Sequence, residues 1–494
     1  MAIDTPNKDY NSMKEFGEWD MLTALNGGTR AMRKAGKTYL PQETDEPDPK
    51  YTTRLNRSFL YNAYKDTITK CVSRPFSKPM VIKLPEALMP LVENFDGEGQ
   101  HMQDFGMEYF KELVSWGVAH AYADYPTVAD PKKENKKTVK QKGLFPFNKI
   151  IPTKRMIGWQ VGEKKKNEKE LKQIRYEKTK TYDIESYQQE VRKQIWIVEK
   201  DKFEVWEFKS VENKEQWVKV DSGTIQNSID GIPLVTAYTE KEKMMVAYPP
   251  LVELGWTNVE HWQSLSDQKN ILRFCRFGIL MASGFNKAEI KQGLTVAPTQ
   301  VVYSENPDAK LSFIEHTGKA VEAGNTDIKS IEDRMEVLGL QPMLQKYWNV
   351  KATGQAINEK KSVSQIEMWI TATIRAMKQL IIYDAQWMGI NDLTEDDIKI
   401  EINKEFVFGS ADSSDIQALH KARELGDIDQ NTYLMELKRF GVLSDDVDVD
   451  NTIRLSRIEE PVVQGFTNNE GTGADGVLSG NAQEFVEAEG GEEL

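Results

Sequence analysis

The residues most suggestive of chemistry run from Ala31 to Thr38. They read Ala-Met-Arg-Lys-Ala-Gly-Lys-Thr, a relaxed phosphate-loop pattern in which alanine replaces the first glycine. In a working loop, backbone amides and a helix N-terminus cradle the phosphates while the lysine, here Lys37, neutralises their charge; the chemistry would be nucleotide hydrolysis. That geometry needs a buried strand before the loop and a helix after it. Asn26-Gly27-Gly28 follows no apolar strand, Pro41 falls just past Thr38, and no alternating strand-helix array surrounds the segment, so the flanks argue against nucleotide binding. Asp446, Asp448 and Asp450 have the alternate spacing of a calcium loop. Asn451, however, stands at the usual glycine position and Arg457 at that of the closing glutamate, which makes a solvated acidic turn the better reading. The five histidines, His101, His120, His261, His316 and His420, are scattered and share no zinc spacing with the two cysteines, Cys71 and Cys275. No Gly-x-Ser-x-Gly elbow occurs, and pairs such as Glu315 with His316 are too common on surfaces to nominate a catalyst. The sequence therefore offers no active site, no metal site and no cofactor site.

Composition narrows the class. A chain of 494 residues exceeds what one core supports and should divide into several units. Eleven Trp and nineteen Phe supply buried cores and interfaces. No run reaches the roughly 20 apolar residues of a membrane helix, the longest candidate, around Phe277 to Phe285, being broken by glycine. The start, Met1-Ala2-Ile3-Asp4, carries no basic leader, and the two cysteines read as reduced packing thiols; both predict a cytosolic setting. A net charge of -13 argues against a broad basic grip on nucleic acid, yet it suits a wall past which a polyanion slides.

The elements follow from periodicity. Residues 1–50 read as a polar arm lying over a neighbour or a folded body. Leu55, Phe59, Ala63, Thr67 and Cys71 predict one helix from Leu55 to Val72, stopped by Pro75; Phe105, Tyr109, Leu113 and Trp116 predict another from Met102. Lys132, Lys133, Lys136, Lys137, Lys140 and Lys142, then Lys164 to Lys166, read as solvated loops, with contact to DNA or an acidic partner as the functional alternative. Lys149 to Tyr238 reads as an antiparallel meander that Leu234-Val235-Thr236-Ala237-Tyr238 closes. Pro249-Pro250 opens a helix from Leu251 to about Ser283, capped by Gly284 and roughly 50 Å long. A returning helix from Lys319 to Leu338, ended by Gly339, brackets a small β insert made of Thr299 to Tyr303 and Leu311 to Ile314. A third long helix spans Lys361 to Met388, a strand Ile398 to Phe408, and short helices Asp412 to Leu425 and Gln430 to Phe440. The alternative for these two is a helix-turn-helix with Lys438 and Arg439 on phosphate, but Asp427, Asp429, Glu436, Asp445 and Asp446 oppose that role and favour packing. Beyond Arg457 every charge is negative, the composition of a mobile tail.

Several phrases, in this order of elements, resemble the portal proteins of tailed bacteriophages over about residues 50–460. Gly231-Ile232-Pro233-Leu234-Val235, then Pro249-Pro250-Leu251 and a long helix, looks like the family's passage from wing to stem. Lys351-Ala352-Thr353-Gly354-Gln355-Ala356 looks like its tunnel loop, and Leu425-Gly426-Asp427-Ile428-Asp429 through Phe440-Gly441-Val442-Leu443 like its C-terminal helices. The resemblance implies an α+β fold with long stem and wing helices, an antiparallel β wing and a small β clip. It divides the chain into an arm (1–50), wing (51–248), stem helix (249–283), clip (284–317), second stem helix (318–341), tunnel loop with long wing helix and wing strand (342–411), crown-like helices (412–457) and acidic tail (458–494). It further implies a non-enzymatic ring of about twelve copies at the capsid vertex, assembled in the host cytoplasm, through which DNA is packaged and ejected. The clip would meet terminase and later tail adaptors, and the wing the major capsid protein and scaffold, with no membrane. Lys346, Lys351, Lys360 and Lys361 become candidates for brushing double-stranded DNA, or plain solvated lysines. The competing expectation is a packaging ATPase that uses Ala31 to Thr38.

Overall fold

The computed structural model describes residues 18–125, 145–165, 168–185, 187–211, 214–225, 229–276, 279–284, 306, 308–314, 319–340, 365–404, 413–439, 442–444 and 447–458. It divides into two units, 1–408 and 409–494, and is a mixture of helices and antiparallel sheets.

The first unit is organised around helix α6, Met102–Trp116, which follows α1 (Glu18–Asn26), α2 (Gly28–Ala35), α3 (Asp48–Arg57), α4 (Ala63–Ser73) and the single turn α5 (Pro90–Glu93). Its start is capped by His101, whose Nδ1 accepts from the Gln103 amide at 3.1 Å. Phe105, Tyr109, Phe110, Leu113 and Val114 are all buried, each such side chain contributing roughly 1.5–3 kcal/mol of transfer free energy. Gly117 ends the helix at φ 77°, and strand β2 (Val118–Asp124) begins at once; β1 (Val81–Lys83) precedes it in the chain. From sequence the unit of α6 is expected to run on to Tyr125-Pro126, with no strand separated from it. The left-handed glycine and the pairing on both sides override alanine's helix propensity.

β2 is the middle of a three-stranded antiparallel sheet, with β3 (Phe147–Ile151) on one side and β9 (Leu234–Tyr238) on the other. The Tyr109 hydroxyl ties α6 to it, donating to the Ala119 carbonyl and accepting from the Ala237 amide, each at 3.0 Å. β9 therefore does not close the meander, as its position in the sequence predicts. The meander is a separate five-stranded sheet in chain order: β4 (Met156–Lys165), β5 (Glu168–Glu185), β6 (Gln188–Glu199), β7 (Lys202–Val211) and β8 (Lys214–Thr224). Tyr176, Trp196 and Phe203 stack across three of its strands. A short pair, β10 (Lys241–Lys243) and β11 (Val246–Ala247), leads to α7 (Val252–Arg276), then β12 (Ile279–Ser283), β13 (Lys310–Ile314), α8 (Lys319–Leu340), α9 (Gln365–Trp387) and β14 (Lys399–Glu401), which pairs with β1.

Three other expectations are corrected. The helix read from Leu55 to Val72 is two, because Ser58 to Asn62 is non-helical and the Asn62 side chain caps α4 by accepting from the Lys65 amide; Phe59 is consequently exposed. In the described part of the N-terminal arm, Trp19, Met21, Leu22, Leu25 and Met32 are buried in the core of their own unit. The long helix read to Ser283 ends at Arg276, where Ile279 to Ser283 pairs with β13 instead, and Gly339 lies inside α8 rather than ending it.

The second unit holds α10 (Ser413–Glu424), α11 (Gln430–Arg439) and α12 (Val449–Ile458), the last not read from the sequence. Gly426 at φ 81° makes the first turn, and Asp429 caps α11 by accepting from the Thr432 amide. Asp448 caps α12 by accepting from the Asn451 amide at 3.1 Å, which explains its place among the alternating aspartates.

A β-carbon on Gly117 would sit 2.4 Å from the Tyr248 carbonyl oxygen, in a backbone region costly to any L side chain. Gly117→Ala should destabilise the first unit by about 2 kcal/mol or more, read from denaturant unfolding; an unchanged midpoint would contradict the corner described here.

Candidate functional site

The feature that departs from ordinary globular packing is the antiparallel hairpin of α7 and α8. At about 1.5 Å per residue their 25 and 22 residues span roughly 37 and 33 Å. Antiparallel pairing is fixed by side chains whose numbers rise along one helix and fall along the other. Arg334 donates to Glu260 at 2.9 Å, His261 Nε2 lies 3.1 Å from Glu332, and Gln268 Nε2 donates to Asn325 Oδ1 at 3.0 Å and to the Val321 carbonyl at 2.7 Å. Gly324 permits this, as a β-carbon there would lie 2.1 Å from the Gln268 side-chain oxygen.

Among the described residues the hairpin is rooted at one end only. Val252, Leu254, Val259 and Trp262 of α7 and Ile331 and Met335 of α8 are buried in the core, with α4 packed against both helices. Past Gln268, none of the described side chains of α7 is buried, nor is any from 321 to 330 on α8. The distal ends carry β12 and β13, which pair with each other from Ile279–Ile314 to Ser283–Lys310. Asn306 donates from Nδ2 to the Gly284 carbonyl at 2.8 Å and accepts from the Asp308 amide, holding one side of the turn. Ile271 and Met281 are left exposed on this projecting part. A two-stranded ribbon and two half-covered helices are marginal alone in water and gain by packing against another surface.

At the root, Arg54 of α3 is nearly buried and grips the loop before it and α7 together. Its guanidinium makes two hydrogen bonds to Glu46, at 2.9 and 2.7 Å, one to the Pro41 carbonyl at 2.7 Å and one to Asp267 at 3.3 Å. Hydrogen bonding from Arg54 holds the Glu46 carboxyl below its ordinary range, whereas burial pushes that of Asp267 up despite the same cation. Beside it Ser58 and Ser266 share a hydrogen bond of 2.8 Å. A cleft of ≈ 760 Å³ opens here, but Glu43 and Asp45 line it along with Lys50, Arg57, Lys269 and Arg273, so its charges select no ligand class.

The sequence-predicted residues are distributed otherwise. Lys346, Lys351, Lys360 and Lys361 lie outside the described residues, as do His316, Asp446, Thr299 to Tyr303 and the charges beyond Arg457. Ala31 to Ala35 is the second half of α2, entered from helix α1 and not from a strand; Lys37 stands on the following 3-10 turn, 3.7 Å from Asp48 and over the Tyr51 ring. No phosphate cradle exists there. His120 is buried in β2 against Thr236, and burial lowers its pKa to about 3, which keeps it neutral. Burial pushes the Cys71 thiol up to about 12, leaving it unreactive. Lys438 donates to the Val447 carbonyl, an internal use of a residue otherwise available to phosphate. Among the described residues no group of three or more His, Cys, Asp or Glu could hold a metal ion, and no helix is long and apolar enough to cross a membrane. The polar seam of the hairpin was not singled out from the sequence. Its signal is His261 and Gln268, two polar residues seven apart on one face of a helix whose inward positions also include Val252, Leu254, Val259 and Trp262.

A model of a family described as a domain of unknown function (DUF4055) matches residues 250–388, the span of the hairpin and α9. No curated protein matches. Similar solved structures include a chain of the neck of a native GTA particle computed with C12 symmetry, 10% identical, covering 75% of this chain and 88% of that one at a TM-score of 0.35. Others are a chain of the virion of a native gene transfer agent (GTA) particle, 9% identical over 86% and 98% at 0.34, and one from the neck of an empty GTA particle computed with C6 symmetry, 11% identical over 87% and 98% at 0.34. Scores of this size do not establish a shared fold.

Removing Arg54 strands Glu46 without its partner. Arg54→Ala should cost about 3–5 kcal/mol in equilibrium unfolding at pH 7. Because Glu46 is held below its ordinary range, its part of that stabilisation is present above about pH 4.5 and is lost as the pH falls through its lowered value. A loss under 1 kcal/mol would mean that the cluster does not anchor α7.

Proposed function

We propose that this chain is a non-enzymatic portal subunit of a tailed bacteriophage. Copies of it would form a ring at the capsid vertex, a channel for genome packaging and ejection and an attachment point for terminase and then for tail adaptors. The observation that carries the reading is the α7–α8 hairpin, which leaves its own core, is tipped by a β ribbon and, among the described residues, has no cover past Gln268. It occupies the place in the chain where the sequence resembles the passage from wing to stem. On this reading α7 and α8 are stem, β12 and β13 belong to the clip, α4, α6, α9 and the two larger sheets form the wing, and the second unit is the crown. The major capsid protein would meet the wing. The net charge of -13 suits a channel that must not trap a sliding polyanion. Lys346, Lys351, Lys360 and Lys361 remain candidates for weak contact with DNA.

A packaging ATPase is the poorer reading, because Lys37 sits between two helices with no strand before it. Native mass spectrometry with negative-stain imaging of the purified chain decides between them. A closed ring with a central channel, near twelvefold, is expected. A monomer or dimer that hydrolyses ATP in a Lys37-dependent manner would overturn the proposal.

A further inference from the structure

A second feature is independent of any ring. Asn148 of β3 and Asp384 of α9 are both fully buried, far apart in sequence and joined by one hydrogen bond, from Asn148 Nδ2 to Asp384 Oδ2 at 2.7 Å. Each has one further side-chain oxygen, and both of those, Asn148 Oδ1 and Asp384 Oδ1, are shut from solvent without a hydrogen-bond partner. Two orphaned acceptors within one pair are short of a single donor. A proton on Asp384 supplies it: the acid O–H then donates to Asn148 Oδ1 while the amide N–H donates to Asp384 Oδ2. Without that proton the core holds a bare carboxylate and an unsatisfied carbonyl, each of which is costly.

We propose that Asp384 is held as a neutral carboxylic acid, paired through two hydrogen bonds with Asn148, so that one proton latches α9 onto the three-stranded sheet. The Asn148 backbone N–H donates to the Phe95 carbonyl at 2.8 Å, which fixes the sheet side of the latch.

Among the described residues the surroundings supply no counter-ion. The titratable and charged side chains of the elements against α9 are Asp104, Glu108, Tyr109, Lys111 and Glu112 of α6, His120, Tyr122 and Asp124 of β2, Tyr238 of β9, Lys399 and Glu401 of β14, and Glu395, Asp396 and Asp397 of the turn before it. Lys149 follows Asn148 on β3, and α9 itself carries Glu367, Arg375, Lys378 and Tyr383. None exerts a charge effect on Asp384; burial raises its pKa to about 8, with the Asn148 hydrogen bond opposing. A carboxyl raised in the folded state stabilises most below its unfolded value near 4, and that contribution is lost as the pH rises toward 8.

Infrared difference spectra of the full chain, wild type minus Asp384→Asn, test the latch directly. At pH 6 the wild type should show the carbonyl band of a protonated carboxylic acid that the variant lacks, fading with a midpoint near 8. Asp384→Asn keeps both hydrogen bonds at any pH, so the ratio of wild-type to variant unfolding constants should grow by up to about tenfold per pH unit between pH 5 and 8. Asn148→Leu should lower the unfolding midpoint at pH 6 while leaving the acid band in place at an altered frequency. Absence of the acid band at pH 6, or parallel stability profiles for wild type and Asp384→Asn, would overturn the proposal.

Discussion

The close backbone approach of Gly117 to Tyr248 is the contact on which the placement of the hairpin depends. Gly117 ends α6 and starts β2, so it sets the angle between the most buried helix and the central strand. Its carbonyl accepts from the Thr239 amide at 2.9 Å, and the Thr239 hydroxyl reaches the Tyr248 carbonyl at 3.3 Å. Tyr248 stands three residues before Leu251 and four before Val252, where α7 starts. One glycine thus couples the sheet, the core helix and the launch point of the strut, with no room for a side chain in between.

From that launch point the packing changes character along a single helix. Near Trp262 the inward side chains of α7 are sealed, apolar ones beside the buried Asn258 and His261; by Gln268 the contacts across to α8 are amide hydrogen bonds, and farther out nothing described is buried. At the root apolar burial adds to the polar pairs Arg334–Glu260 and His261–Glu332, while farther along the described contacts between the helices are polar ones worth about 1 kcal/mol each. Such a graded element suits a part completed by other chains. The Arg54 cluster strengthens the root from the opposite side, tying α3 and the loop at Glu46 to α7.

Much of this was legible in the sequence, and the failures have physical causes. The repeat Phe105, Tyr109, Leu113, Trp116 gave α6 correctly because one-sided burial is what that spacing encodes. The β-branched and aromatic residues of 194–198, 203–208 and 217–220 likewise mark the strands of the meander. β2 was hidden because Val-Ala-His-Ala-Tyr-Ala has helical composition and becomes a strand only through neighbours on both sides. The pairing of β9 with β2 is a long-range choice that local pattern does not carry. Ile279 to Ser283 read as a continuation of α7, since a short apolar run has no period that separates helix from strand. Of the candidate site, the long helices and their return were readable. The partners that lock them, Arg54 with Glu46 and Gln268 with Asn325, join residues whose types look like surface.

The central claim is that α7 and α8 are the walls of a channel built from many copies. Electron cryomicroscopy of the assembled protein tests it most directly, by locating the hairpin relative to the symmetry axis. The account predicts closed rings in which α7 and α8 of every copy surround the axis and pack side by side, covering Ile271 and Met281. Rings with the hairpins pointing outward, or an assembly in which those residues stay bare, would contradict it.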